Sequence, residues 1–142
     1  MKHEGPDGRT GDSARAEISP VEPRIVGSGR TGVQLELRVQ GCDLLLLITG
    51  GKAHVGAVAV LDGRCASGSA VVTELAGHRE GRLAGECAEI LGEVWEGAVV
   101  VVAGIHQDRA TRAEIDAIVT NVRQGTHDLA AAIAKQKRDD DD

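Results

Sequence analysis

Three histidines sit close to glycine at the ends of apolar segments, and that pairing of residue types is where chemistry is to be sought first. His54 follows Gly50-Gly51-Lys52-Ala53, His78 stands in Gly77-His78-Arg79-Glu80, and His106 closes Ala103-Gly104-Ile105-His106. An imidazole titrates near neutrality and can donate to, or accept from, the polar atoms of a ligand ring. Glycine lets backbone approach a ligand closely. The segments carrying His78 and His106 both run into stretches of helical periodicity, whose N-termini offer unpaired N–H groups and a partial positive charge to an anion. Lys52 and Arg79 add full charges. The ligand class this predicts is a phosphorylated small molecule. Gly50, Gly51 and Lys52 would hold the phosphate with Arg79, and His54, His78 and His106 would meet polar ring atoms.

Two other readings use the same histidines. Three imidazoles can bind zinc and leave an open position for water, which would make the chain a metal-dependent small-molecule enzyme. Their spacing is long, however, with neither an HxH nor an HExxH pattern. The plainer alternative is that they are unrelated turn residues. Nucleophilic catalysis has less support, because there is no GxSxG elbow and no cysteine beside a histidine. His3, near the N-terminus, and His127, out of phase with the apolar stripe of its segment, are expected to be solvated.

Composition narrows the partners. The chain has 142 residues, one domain by size, with 42% apolar and 27% charged residues, enough to bury a core. It has no Phe and no Tyr, and Trp95 is its one tryptophan, so the core must be aliphatic and no platform exists for stacking bases. A formal net charge of -6 also argues against binding a phosphate backbone, so nucleic acid is an unfavoured partner. No apolar run approaches the roughly 18 residues of a membrane span, and no signal-peptide core is recognisable at the N-terminus, so a cytoplasmic protein is expected. Cys42, Cys65 and Cys87 are odd in number and widely spaced. They are read as small buried side chains rather than as a disulfide or zinc framework.

The elements that must position these residues follow from periodicity. Residues 1–23 hold all three prolines and no apolar period, and are read as a flexible tail. Residues 24–135 form a single α+β domain, and 136–142 a solvated acidic tail. A short strand over Arg24 to Val26 is followed by clean alternation from Val33 to Val39, a strand with one wet face. Leu44 to Ile48 is apolar on both faces, as in a central strand. Gly50-Gly51 then reads as the tight turn of a β-hairpin into a strand over His54 to Leu61. A weaker strand falls within Cys65 to Leu75.

The period changes at Leu83, Cys87, Ile90, Leu91 and Val94, which mark a helix over about Glu80 to Trp95. Ala98 to Ala103 is a buried strand. Thr111-Arg112-Ala113-Glu114 fits a capping box opening a long helix with an apolar stripe through Ile115, Ile118, Val122, Leu129 and Ile133. The order predicts a mainly antiparallel sheet of five or six strands: a meander, a helix, a strand and a helix. Two helices cover little more than one face of such a sheet, and a second copy of the chain is the simplest cover for the other.

Gly27-Ser28-Gly29-Arg30-Thr31-Gly32 fits GxGxxG letter by letter. A dinucleotide site needs a helix after that motif, and here a strand pattern follows, so a turn is expected instead.

Three blocks taken together resemble the signatures of the LpdD-like family. They are Leu44-Leu45-Leu46-Leu47-Ile48-Thr49-Gly50-Gly51-Lys52-Ala53-His54-Val55-Gly56-Ala57-Val58-Ala59, then Gly77-His78-Arg79-Glu80, then Ala103-Gly104-Ile105-His106-Gln107-Asp108-Arg109-Ala110-Thr111. Members are small proteins similar to the D subunit encoded with UbiD-type gallate decarboxylases. The resemblance spans about Ile25 to Lys135 and implies a homodimer with a fold similar to proteasome assembly chaperone subunits. It also implies a non-enzymatic chaperone for reduced prenylated flavin mononucleotide (prenylated FMN), handed to an apo UbiD-like decarboxylase. A pure protein-assembly factor is the other role such a fold would allow. Flavin rings often stack on aromatics; with only Trp95 present, aliphatic side chains, glycine backbone or a partner subunit would have to cover the ring.

Overall fold

The computed structural model describes residues 18–64, 68–77 and 79–141. The alternating stretch forms β2 (Val33–Gln40), which puts Val33, Leu35 and Leu37 into the core. Before it lies β1 (Arg24–Val26), and after it β3 (Asp43–Gly51), β4 (Ala57–Asp62) and β5 (Val71–Glu74). Then come α1 (Gly81–Gly92), β6 (Ala98–His106) and α2 (Arg112–Asp141). The strands make one six-stranded sheet in the order β1-β2-β3-β6-β4-β5. Its pairs are antiparallel except β3 with β6, which run parallel. The α+β class and the mainly antiparallel sheet stand as expected.

One local expectation fails. Gly50-Gly51 does not close a hairpin, because β6 lies between β3 and β4 and pairs with both. The apolar run of β6 demands this central place, since a strand apolar on both faces is least exposed in mid-sheet. The residues from Lys52 to Gly56 instead cross the C-terminal end of β6. Lys52 N–H donates to the His106 carbonyl (3.0 Å) and Gly56 N–H to the Ala103 carbonyl (2.9 Å). Gly104 lies directly beneath this crossing, where a Cβ would fall on the His54 carbonyl oxygen. The meander is therefore interrupted by a late strand threaded into its middle.

Both helices pack on one face of the sheet. Leu83, Ala84, Cys87, Ala88 and Leu91 of α1, and Ile118, Val122, Leu129 and Ile133 of α2, join one core with Leu46, Ile48, Val99 and Val101. Arg123 of α2 donates through Nε (2.8 Å) and Nη2 (3.1 Å) to the two carboxylate oxygens of Glu86 on α1, which ties the helices together. Thr126 Oγ1 donates to the Val122 carbonyl (2.8 Å) and lies 3.3 Å from Cys87 Sγ. Burial pushes the Cys87 thiol up to about 11, so it stays protonated and unreactive at neutral pH. Cys42, expected to be buried, is exposed in the turn between β2 and β3, where the chain has left the core. Cys65 lies outside the described residues.

The capping box forms as read. Thr111 Oγ1 accepts from Glu114 N–H (3.1 Å), and Thr111 N–H donates to Glu114 Oε1 (3.0 Å). At the other end, α2 runs past Lys135 to Asp141, through residues the sequence pattern assigns to a tail. Lys137 holds that end, donating from Nζ to the Val94 carbonyl (2.7 Å) with its ammonium 4.8 Å from the Trp95 ring centroid. On the N-terminal side, the backbone N–H of Ser19 donates to Gln136 Oε1 (2.7 Å), so part of the segment read as tail lies against α2.

Among the described residues, the opposite face of the sheet carries no helix. Register places Glu36, Leu47, Val102, Val58 and Thr73 in one row across it, and Arg38, Leu45, Val100, Val60 and Val71 in the next. Leu45, Leu47, Val58, Val100 and Val102 are half-buried by their neighbours alone, whereas Val60 and Val71 are exposed.

Candidate functional site

The end of β6 is where the nominated loops meet. Strand direction sends Ile105 and His106 out of the C-terminal edge of the sheet, the N-termini of α1 and α2 start at the same end, and the Lys52–Gly56 crossing covers it. Between these elements lies a groove of about 560 Å³. Its floor is Ile105, His106 and Gln107; one wall is Gly77, Arg79, Glu80 and Leu83; the other is Ala110 with Arg112, Ile115, Asp116, Ile118 and Val119 of α2. The α2 wall carries an apolar stripe because Ile115, Ile118 and Val119 recur at i, i+3 and i+4 on one face of the helix, with Arg112 and Asp116 beside it.

Glu80 organises the inner part. It stands at the N-cap of α1 with its side chain only 15% exposed, and it gathers three elements. Its Oε1 accepts from Ile105 N–H (3.4 Å) and lies 3.5 Å from His54 Nε2, while Oε2 accepts from Arg79 N–H (3.1 Å). Gly56 lacks a Cβ where one would sit 2.5 Å from this carboxylate, which explains the glycine in the crossing. The other ring nitrogen of His54, Nδ1, donates to the Lys52 carbonyl (3.0 Å), an acceptor only.

Asp108 organises the rim. Its Oδ1 accepts from His106 Nε2 (2.9 Å) and its Oδ2 from Lys52 Nζ (3.1 Å). Hydrogen bonds from Lys52 and then His106 hold the Asp108 carboxyl below its usual value. A carboxylate lowered in the folded chain contributes its full stabilisation above the unfolded value, and loses it as pH falls through the folded one. Lys52 is 74% and Asp108 63% exposed, so this pair orients the rim more than it stabilises the fold. Arg30, from the glycine-rich turn, donates through Nη2 to the Asp108 carbonyl (2.6 Å) and through Nε to Glu114 Oε2 (2.7 Å). The motif that mimics a dinucleotide loop thus leads through Gly32 into β2, and its arginine braces the start of α2.

Of the residues nominated from sequence, Arg79 and His106 line the groove. His54 and Lys52 stand beside it; the His54 and His106 rings meet edge to face at 6.2 Å between centroids. Gly50 and Gly51 fall elsewhere, lining a separate hollow of about 320 Å³ with Gly27, Gly29 and Gly32. His78 lies outside the described residues. Among the described residues, no group of three or more His, Cys, Asp or Glu is placed to hold a metal ion. Sequence reasoning missed Glu80 and Asp108. Their signals were present: an acid immediately before a helix start, and an acid two residues after a loop histidine.

Trp95 is not part of the groove. It follows the C-terminal end of α1, a helix of 12 residues that separates it from the groove end by about 18 Å. There it is buried, donating from Nε1 to the Cys42 carbonyl (2.9 Å). No helix among the described residues is long and apolar enough to cross a membrane.

Comparison with known proteins agrees with this architecture. A solved structure, titled as a novel chaperone complex for yeast 20S proteasome assembly, is similar with a TM-score of 0.55 at 12% identity, covering 80% of this chain and 95% of that one. That likeness establishes the fold. No curated protein matches significantly. A family model for the prenylated flavin chaperone LpdD-like domain matches residues 27–134, which takes in all six strands but β1, both helices' packed lengths and the whole groove. The chain belongs to the LpdD-like prenylated flavin chaperone family.

Proposed function

We propose that this protein is a non-enzymatic carrier that holds reduced prenylated FMN in the groove at the end of β6 and delivers it, in the cytoplasm, to an apo UbiD-like decarboxylase. The observation that carries the reading is the groove itself. Its volume of about 560 Å³ falls within the range of small-molecule sites, and its lining joins an apolar wall to a small set of polar groups. Arg79 and Arg112 stand at the N-termini of α1 and α2, where charge and helix dipole together favour a phosphate. His106, with Glu80 and His54 behind it, presents hydrogen-bonding groups to the polar edge of a flavin. Lys52, paired with Asp108 at the rim, is a further nominated contact.

The carrier works as a homodimer, joined through the helix-free face of the sheet. Two features support this. The apolar rows from Leu45 and Leu47 to Val71 form a continuous patch of the kind that soluble monomers rarely expose. They are flanked on β2 by the Arg38–Glu36 ion pair (2.7 Å), and opposite charges side by side can pair with their own copies across a two-fold axis.

Anaerobic titration with reduced prenylated FMN tests the carrier. Binding of one flavin per subunit is expected, weakened roughly tenfold or more in His106→Ala and Arg79→Ala, the loss expected for one charged hydrogen bond. Absence of binding by the wild-type protein would leave a pure assembly factor as the better account.

A further inference from the structure

The groove is lopsided in a way its polar residues do not explain. Between Arg112 and Asp116, its α2 wall carries an aliphatic stripe, Ile115, Ile118 and Val119, and that stripe is incompletely covered: Ile118 is 8% exposed, whereas Ile115, one turn earlier, is 46% exposed. A large β-branched side chain left half in water beside a cavity loses burial that an apolar occupant would restore. Among the described residues no Trp lines the groove, and its flat ring, the His106 imidazole, stands on the β6 side away from this stripe. Saturated, branched carbon is what such a wall packs well against.

We infer that Ile115, backed by Val119 and Ile118, forms the subsite for the five-carbon prenyl-derived part of the cargo, and that this wall makes the carrier select prenylated over unprenylated flavin. The inference rests on the carrier reading and divides the groove under it. The β6 and α1 side, with His106 and Glu80, meets the part that every flavin shares. On the α2 side, Arg112 faces the shared phosphate, and the Ile115, Ile118 and Val119 stripe meets only the isoprenoid carbon. An unprenylated flavin placed in the same groove leaves Ile115 wet and loses the packing, while its polar contacts are unchanged. Selectivity then comes from a surface with no hydrogen bonds in it, and its size is bounded by what a few buried carbons can discriminate.

Ile115 suits a test because its exposure lets it be changed without opening the core. Dissociation constants for reduced prenylated FMN and for reduced unprenylated FMN would be measured anaerobically for wild type, Ile115→Ala and Ile115→Met, with thermal melts confirming that each variant is folded. Wild type is expected to prefer the prenylated form by roughly tenfold or more, the usual discrimination for a few carbons in an apolar pocket. Ile115→Ala should lose most of that preference through weaker binding of the prenylated form alone, and the volume-conserving Ile115→Met should keep it. If both flavins weaken equally in Ile115→Ala, or the ratio does not move, the subsite is wrong while the carrier reading stands. If wild type binds the two flavins equally, the subsite is likewise overturned. If wild type binds neither, both readings fall.

Discussion

Gly104→Ala should destabilise the protein by about 3 kcal/mol, lowering its melting temperature by roughly 10 °C, more than the usual cost of a single added methyl. The cause is backbone against backbone. An alanine Cβ at this position falls on the His54 carbonyl oxygen, and neither group can rotate away. Relief requires the Lys52–Gly56 crossing to lift from β6, which breaks the Gly56 N–H bond to Ala103 and withdraws His54 from Glu80. Stability and cargo binding should therefore fall together. Gly41→Ala serves as the control: its φ of 62° is strained for alanine, but nothing stands within 4 Å of the added carbon. Its cost should be about 1 kcal/mol, the penalty of the left-handed region alone. Equal losses in chemical unfolding at the two sites would show that the crossing over β6 is not a rigid contact.

The second large effect concerns assembly. Val60→Asp places a carboxylate in the helix-free face, at a side chain 43% exposed in the single subunit, so the monomer has little reason to unfold. In a two-fold dimer the substitution enters twice and buries two like charges without partners. It should weaken association at least a hundredfold, about 3 kcal/mol, the order of cost for an unpaired buried charge. Analytical ultracentrifugation would read this as a change from dimer to monomer. A wild-type protein that is monomeric at tens of micromolar, or a variant that dimerises as well as wild type, would remove this face from the account.

The parts of the fold legible in the sequence are those decided by neighbours along the chain. The alternation in Val33–Gln40, the double-sided apolarity of Leu44 to Ile48 and the Thr111–Glu114 box each have local causes, and each appears where the pattern puts it. The threading of β6 between β3 and β4 does not. An apolar run, two glycines and another apolar run read as a hairpin whether or not a third strand later enters between them. The same distinction runs through the site. His54, Lys52 and His106 were visible because histidine and lysine beside glycine are unusual at element ends. Glu80 and Asp108 were not, because an acid near a helix start or in a loop reads as a solvated charge. Only the meeting of distant segments brings Glu80 to the Ile105 N–H and beside His54. Gly50 and Gly51, chosen for their turn, belong to the strand end beside the Gly27–Gly32 loop, away from the groove. Cys42 misled through a residue-type average that its turn position overrides.

Amide hydrogen exchange with and without reduced prenylated FMN, under anaerobic conditions, addresses most directly whether the guest lies where the two helix N-termini meet β6. Protection on adding the flavin is predicted in three stretches, 79–83, 105–110 and 112–119, with strands β2 and β5 unchanged. Protection confined to the helix-free face of the sheet, or no change at flavin concentrations that saturate binding, would contradict it.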